Sequence, residues 1–216
     1  MNIPNILTQP IEVINRLAQL GVSKENLLEV VDRMVSARRE VTLNHPPGSG
    51  GWMAWSHGTC RLRDELLPLG WDRNEESRIS SVQKDQIRIA VCNTDDGTGT
   101  AASQPMNRSK KGAGTDYVVS QNQGVLGDIL EQASKVIQLP GAVGGVVYWY
   151  LCVYCEGETV RAELSCPLEC SNGYFTSFRE RIILMGGEDD NGGVHKRGDA
   201  SDGDGGLEII VTRKQA

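Results

Sequence analysis

At 216 residues, with 39% hydrophobic residues, the chain is long enough for one domain with a sizeable core, burying roughly 70% of its unfolded surface. Its net charge of −6 excludes a protein that holds nucleic acid through a broad cationic surface. Much of that charge comes from 186–206, where Glu188, Asp189, Asp190, Asp199, Asp202 and Asp204 face only Lys196 and Arg197, so the rest is near balance.

The opening Met-Asn-Ile-Pro-Asn-Ile has neither the basic nor the apolar region of a secretory signal, so a cytoplasmic location is expected. The six cysteines are then expected as thiols or metal ligands rather than disulfides. Between Lys135 and Glu156 lie twenty uncharged residues, long enough to span a bilayer. Gln138, Pro140 and several glycines and tyrosines interrupt them and no basic clusters flank them, which favours a helix end, a turn and a buried strand. No membrane association is expected.

In chain order, Thr8 caps an expected helix over 9–20 with Pro10 in its first turn, and Gly21 ends it. Ser23 caps a second helix, on which Leu27, Leu28, Val31, Met34 and Val35 form one apolar stripe. The pair has the outline of a helix-turn-helix, but Glu25, Glu29 and Asp32 would meet phosphates, which favours a packed helical hairpin. The run 44–51 breaks the chain, and its Gly-Ser-Gly-Gly lacks the Gly-Lys-Ser/Thr of a phosphate loop. Two units are expected: an N-terminal helical hairpin (1–43) and an α+β core (52–216) with flexible loops at 97–114 and 186–206.

Trp52, Met53, Trp55, Leu62, Leu66 and Leu67 predict a buried helix over 56–67. His57 and Cys60 share one of its faces, but no third group identifies a nucleophile pair. Residues 71–84 read as irregular, and Gln86 to Cys92 as an internal strand. That strand runs into Asn-Thr-Asp-Asp-Gly-Thr-Gly-Thr, where Asp95 and Asp96 are candidate ligands for a divalent cation or phosphate. Asp95-Asp96-Gly97-Thr98 resembles the first phosphate loop of actin-like ATPases, although 216 residues cannot supply that two-lobed fold and no second phosphate motif follows. The alternative is that these are turn formers. The loop 97–114 carries a basic cluster, Arg108, Lys110 and Lys111, suited to nucleic acid or an acidic partner. Tyr117 to Val119 reads as a short strand, and Leu126, Ile129, Leu130, Ala133 and Ile137 as a helix ending near 139.

The densest β signal lies at 146–166. A two-residue loop at Glu156-Gly157 would pair Val153 with Val160, Leu151 with Ala162 and Trp149 with Leu164. Tyr148, Tyr150 and Tyr154 then lie on the opposite face, available to a partner. Cys152, Cys155, Cys166 and Cys170 have spacing close to that of a zinc ribbon, but this register puts Cys152 and Cys155 on opposite faces, which disfavours zinc. Tyr174 to Met185 reads as a strand after Asn172-Gly173, and 207–213 as another.

The expected fold is α+β, with a mainly antiparallel sheet (hairpin 146–166, strands near 87–92, 174–185 and 207–213) covered by helices on one face. The expected function is that of a non-catalytic accessory protein that binds a protein partner through its sheet face and polar loops. The alternatives are a nucleic-acid-binding module, using 108–111 or a four-cysteine zinc site, and a metal- or phosphate-dependent enzyme centred on Asp95 and Asp96.

Overall fold

The computed structural model describes residues 4–132 and 145–186, with the backbone alone over 124–132. The expected strand at 207–213 and nearly all of the expected 186–206 loop lie outside the described residues.

The chain begins with a three-residue strand, β1 (Asn5–Leu7), then α1 (Pro10–Gln19), α2 (Lys24–Arg39) and α3 (Ser49–Leu66). Pro10 occupies the first turn of α1, where its missing N–H costs nothing. Gln9, not Thr8, holds the cap position, without a side-chain bond. The Ser23 side chain accepts from the Asn26 amide at 3.1 Å, and Arg38 and Arg39 sit at the opposite, negative end of the α2 dipole. The helix α3 starts seven residues before the expected 56, so Trp52 and Trp55 fall on its exposed side while Leu62 and Leu66 are buried.

Two short strands, β2 (Asp72–Asn74) and β3 (Ser81–Lys84), occupy the stretch expected to be irregular. They are followed by β4 (Ile87–Asn93), α4 (Ala113–Gln132), β5 (Val147–Glu156), β6 (Thr159–Ser171) and β7 (Tyr174–Met185). Tyr117 to Val119 is helical: Thr115, Val118, Val119 and Asn122 are buried at helical spacing along α4.

Among the described residues the strands form one sheet in the order β1-β7-β6-β5-β4-β3-β2. The protein is α+β, but the expectation of a mainly antiparallel sheet is overturned: β1 runs parallel to β7, and β4 parallel to β5 from Ile87↔Val147 to Asn93↔Val153, so the sheet is mixed. The physical reason lies in the connection. Between β4 and β5, α4 carries the chain back toward the end of the sheet where β4 began, which makes the two strands parallel, whereas a tight turn makes neighbours antiparallel.

The expected single helical cover is also corrected. Trp149, Leu151, Val153, Ala162, Leu164 and Ile182 face α1, α2 and α3, whereas Ala90, Cys92, Tyr148, Tyr150, Cys152 and Phe178 lie on the other face, with Val118 and Val119 of α4. Burial on both faces explains the nearly unbroken apolar run of β5.

The hairpin register moves by one residue on each strand. Val153 pairs with Ala162 and Leu151 with Leu164, so Gly157-Glu158 is the loop. Gly157, at φ +55°, takes the first loop position, where a positive φ favours glycine. The shift keeps every side chain on its predicted face. At the next turn Asn172 and Gly173 both have positive φ, as a tight hairpin of this sequence requires.

No helix among the described residues is long and apolar enough to cross a membrane.

Candidate functional site

The loop 94–112 leaves β4 and is held against the sheet by buried polar side chains. Arg181 and Glu163 form an ion pair with no exposed side-chain surface, Arg181 Nη2 donating to Glu163 Oε2 at 2.6 Å. Arg181 also donates to the carbonyls of Thr100 and Ser103, while Glu163 accepts from the Gly99 amide at 2.7 Å. Charges this deep persist only when paired and fully hydrogen-bonded; apart from the Ser165 hydroxyl, which donates to Glu163, the pair's other bonds go to loop backbone. Asn107, also buried, donates from Nδ2 to the carbonyls of Ser109 and Gly173 and accepts from the Phe175 amide.

Asp95 is one of these loop fasteners. Its Oδ1 accepts from the amides of Gly97 and Met106 at 3.2 and 2.9 Å, the geometry of a turn former. Asp96 is exposed, and its carbonyl accepts from Arg161. Among the described residues, no three His, Cys, Asp or Glu side chains converge to hold a metal ion. Cys155 and Cys166 lie on the three-helix side of the sheet, Cys152 and Cys170 on the α4 side. Burial pushes the Cys166 and Cys170 thiols up to about 12, and that of Cys152 well above its ordinary value. His57 contacts Arg33 at 2.6 Å, and the Cys60 thiol donates weakly to Asp64.

The basic cluster divides. Arg108 stacks on Tyr154, 5.5 Å from its ring, and donates to Glu156 at 3.1 Å. Lys110 and Lys111 instead line, with Arg78, a cleft of about 240 Å³. Three features build that cleft. The Lys111 amide donates to the Gly173 carbonyl at 2.8 Å, fixing the lysines beside the β6–β7 turn. Gly114, in the first turn of α4, lies so close to the Ser77 carbonyl that a side chain there would collide with it. Ser77 and Arg78 both adopt positive φ, 59° and 61°, which carries Arg78 to the rim. Val91 in the wall lies one residue past the β3–β4 pair Ser81↔Ala90, so the cleft opens beside the first residue of β3.

The floor is Tyr150. Its side chain is 1% exposed and lines the cleft, yet its hydroxyl makes no hydrogen bond of normal geometry, although Thr115 stands near it. Tyr148, two residues earlier and also buried, is fully engaged: its hydroxyl accepts from Arg88, whose guanidinium lies 4.8 Å from the ring. Burial, with Cys92 nearby, pushes the Tyr150 phenol far above its ordinary value, so it is a donor at any physiological pH. An orphaned buried hydroxyl costs free energy that a bound acceptor would recover.

The arrangement suits an anion. Three cations, the Thr115 hydroxyl, a buried phenol and the N-terminal turn of a twenty-residue helix converge there, and among the described residues no carboxylate lines the cleft; the Ser80 hydroxyl, also in the lining, donates to Glu75. Sequence reasoning had Lys110 and Lys111 but missed Arg78, Ser80, Thr115 and the role of Tyr150. Only Gly112 and Gly114, bracketing the helix start, hinted at a close approach. No protein-family model, curated protein or solved structure matches this chain.

Proposed function

We propose that this protein is a non-catalytic binding module whose cleft, between the start of α4 and the Ser77–Arg78 turn, takes the phosphate group of a ligand. The observation that carries this reading is the Tyr150 hydroxyl, buried and making no hydrogen bond of normal geometry, with only Thr115 beside it, in a cleft lined by Arg78, Lys110 and Lys111. The three cations, the Thr115 hydroxyl and the Tyr150 phenol can all donate, and among the described residues no His, Cys, Asp or Glu lines the cleft to serve as a general base, so recognition rather than turnover fits the set. The site's charge is local, set within a chain of net charge −6, which favours one anionic group over a long polyanion.

The test is Tyr150→Phe, measured twice. Removing the orphaned hydroxyl is expected to leave the free protein as stable as before or more so, by up to about 1–3 kcal/mol. The same change is expected to weaken binding of inorganic phosphate or pyrophosphate several-fold by calorimetry. Lys110→Ala/Lys111→Ala is expected to weaken it further and to reduce its salt dependence. Phosphate binding that is undetectable, or that survives both variants unchanged, overturns the reading.

A further inference from the structure

A second cleft, of about 320 Å³, adjoins the first and shares Trp55 and Ser80 with it. It too contains buried polar atoms without partners: Thr59 Oγ1, on a residue 5% exposed, and Arg63 Nε. Arg63 is only partly committed, since its Nη2 binds Glu75. Ser80 donates to the same carboxylate at 2.7 Å, and these contacts hold Glu75 below the usual carboxylate range. Asp64, also in the lining, adds an acceptor. This second lining therefore mixes donors and acceptors, unlike the cationic first one.

Trp55 stands where the two meet, with 37% of its surface exposed on the outer side of α3. An exposed indole between a phosphate-type subsite and a mixed donor–acceptor subsite is the arrangement a nucleotide needs: charge at one end, a flat ring to stack, and base edges to read. Together the clefts reach the size of a small-molecule site, roughly 300–1,000 Å³, well beyond inorganic phosphate.

We infer that the ligand is a nucleoside 5′-phosphate unit, its phosphate at the start of α4, its base on Trp55, and the base edge toward Thr59 and Arg63. This rests on the phosphate reading above and adds the identity of the group attached to the phosphate. The unit has two sources, a free mononucleotide or the phosphorylated end of a nucleic-acid strand.

The experiment compares inorganic phosphate, ribose 5-phosphate, the four nucleoside 5′-monophosphates and a 5′-phosphorylated hexanucleotide, by calorimetry and by tryptophan fluorescence. At least one mononucleotide is expected to bind on the order of tenfold more tightly than ribose 5-phosphate and to quench fluorescence. Trp55→Leu is expected to abolish the quenching and to bring mononucleotide and ribose 5-phosphate to equal affinity; Thr59→Val, outside the phosphate cleft, is expected to reduce the preference severalfold. A hexanucleotide that binds more tightly than its mononucleotide assigns the strand end, and equal binding assigns the free nucleotide. Ribose 5-phosphate binding as well as every mononucleotide, or a base preference that survives Trp55→Leu, overturns this inference and leaves the phosphate reading standing. If none of the compounds binds, both fall.

Discussion

The two faces of the sheet are built on different physics. The side under α1, α2 and α3 is sealed by packed apolar side chains such as Leu17, Leu27, Trp149, Leu151 and Leu164, whose burial is non-directional and tolerant of small shifts. The side under α4 and the 94–112 loop is fastened by directed bonds: Arg181 with Glu163, Asn107 to the β6–β7 turn, and Asn122. Apolar packing gives this fold its stability, whereas hydrogen bonds to loop backbone fix positions. The cleft lies on the second side because its lysines, glycine and helix start must be held at defined places.

This contrast can be broken most sharply at Arg181. Arg181→Met strands a buried carboxylate and is expected to cost about 3–5 kcal/mol by urea unfolding, with faster proteolysis within 97–104. Converting Glu163 to Met as well is expected to restore most of the stability but not the loop's protection, since the bonds to the Thr100 and Ser103 carbonyls stay lost. Restored protection would show that packing, not the ion pair, holds the loop. On the other side, Leu151→Ala is expected to cost about 2–5 kcal/mol through cavity formation, and to leave phosphate binding unchanged. Asn122→Ala should cost about 1–3 kcal/mol, because Asn122 bridges the Tyr148 backbone and the Pro167 carbonyl.

What the sequence made legible follows the same division. Apolar period gave α1, α2, the strand at β4 and the hairpin faces, because one-dimensional spacing reports which side of an element is apolar, and of the two expected caps only Ser23 makes its bond. The parallel pairing of β4 with β5 was implicit in a helix set between two strands, but the strength of the 146–166 hairpin drew the whole sheet toward an antiparallel reading. β1, three residues long, carries no period to detect. The tyrosine face read as open because α4 covers it with Thr115 and Asn122 as well as Val118 and Val119, a stripe that hydropathy alone does not mark. The cleft was only half visible, since Arg78 reaches it through two positive-φ residues in an otherwise featureless polar stretch.

A smaller effect sharpens the comparison through pH. The Cys166 thiol, on the apolar side, is pushed by burial from 9.0 to about 12. The unfolded chain therefore loses this proton at lower pH than the folded one. The thiol's contribution is full below pH 9 and is expected to be lost progressively between pH 9 and 12. Cys166→Ala should flatten that slope; an unchanged slope would assign it to other groups. Ser23→Ala, removing the α2 cap, is expected to cost about 1 kcal/mol and to leave both faces otherwise intact.

An amide NMR titration of the intact protein with inorganic phosphate and then with mononucleotides tests the site most directly. The account predicts that the largest shifts fall on Gly112, Ala113, Gly114 and Thr115, at the start of α4, with the Trp55 indole responding only to the nucleotides. Shifts scattered over exposed lysines and arginines elsewhere, or none at those four amides, would contradict it.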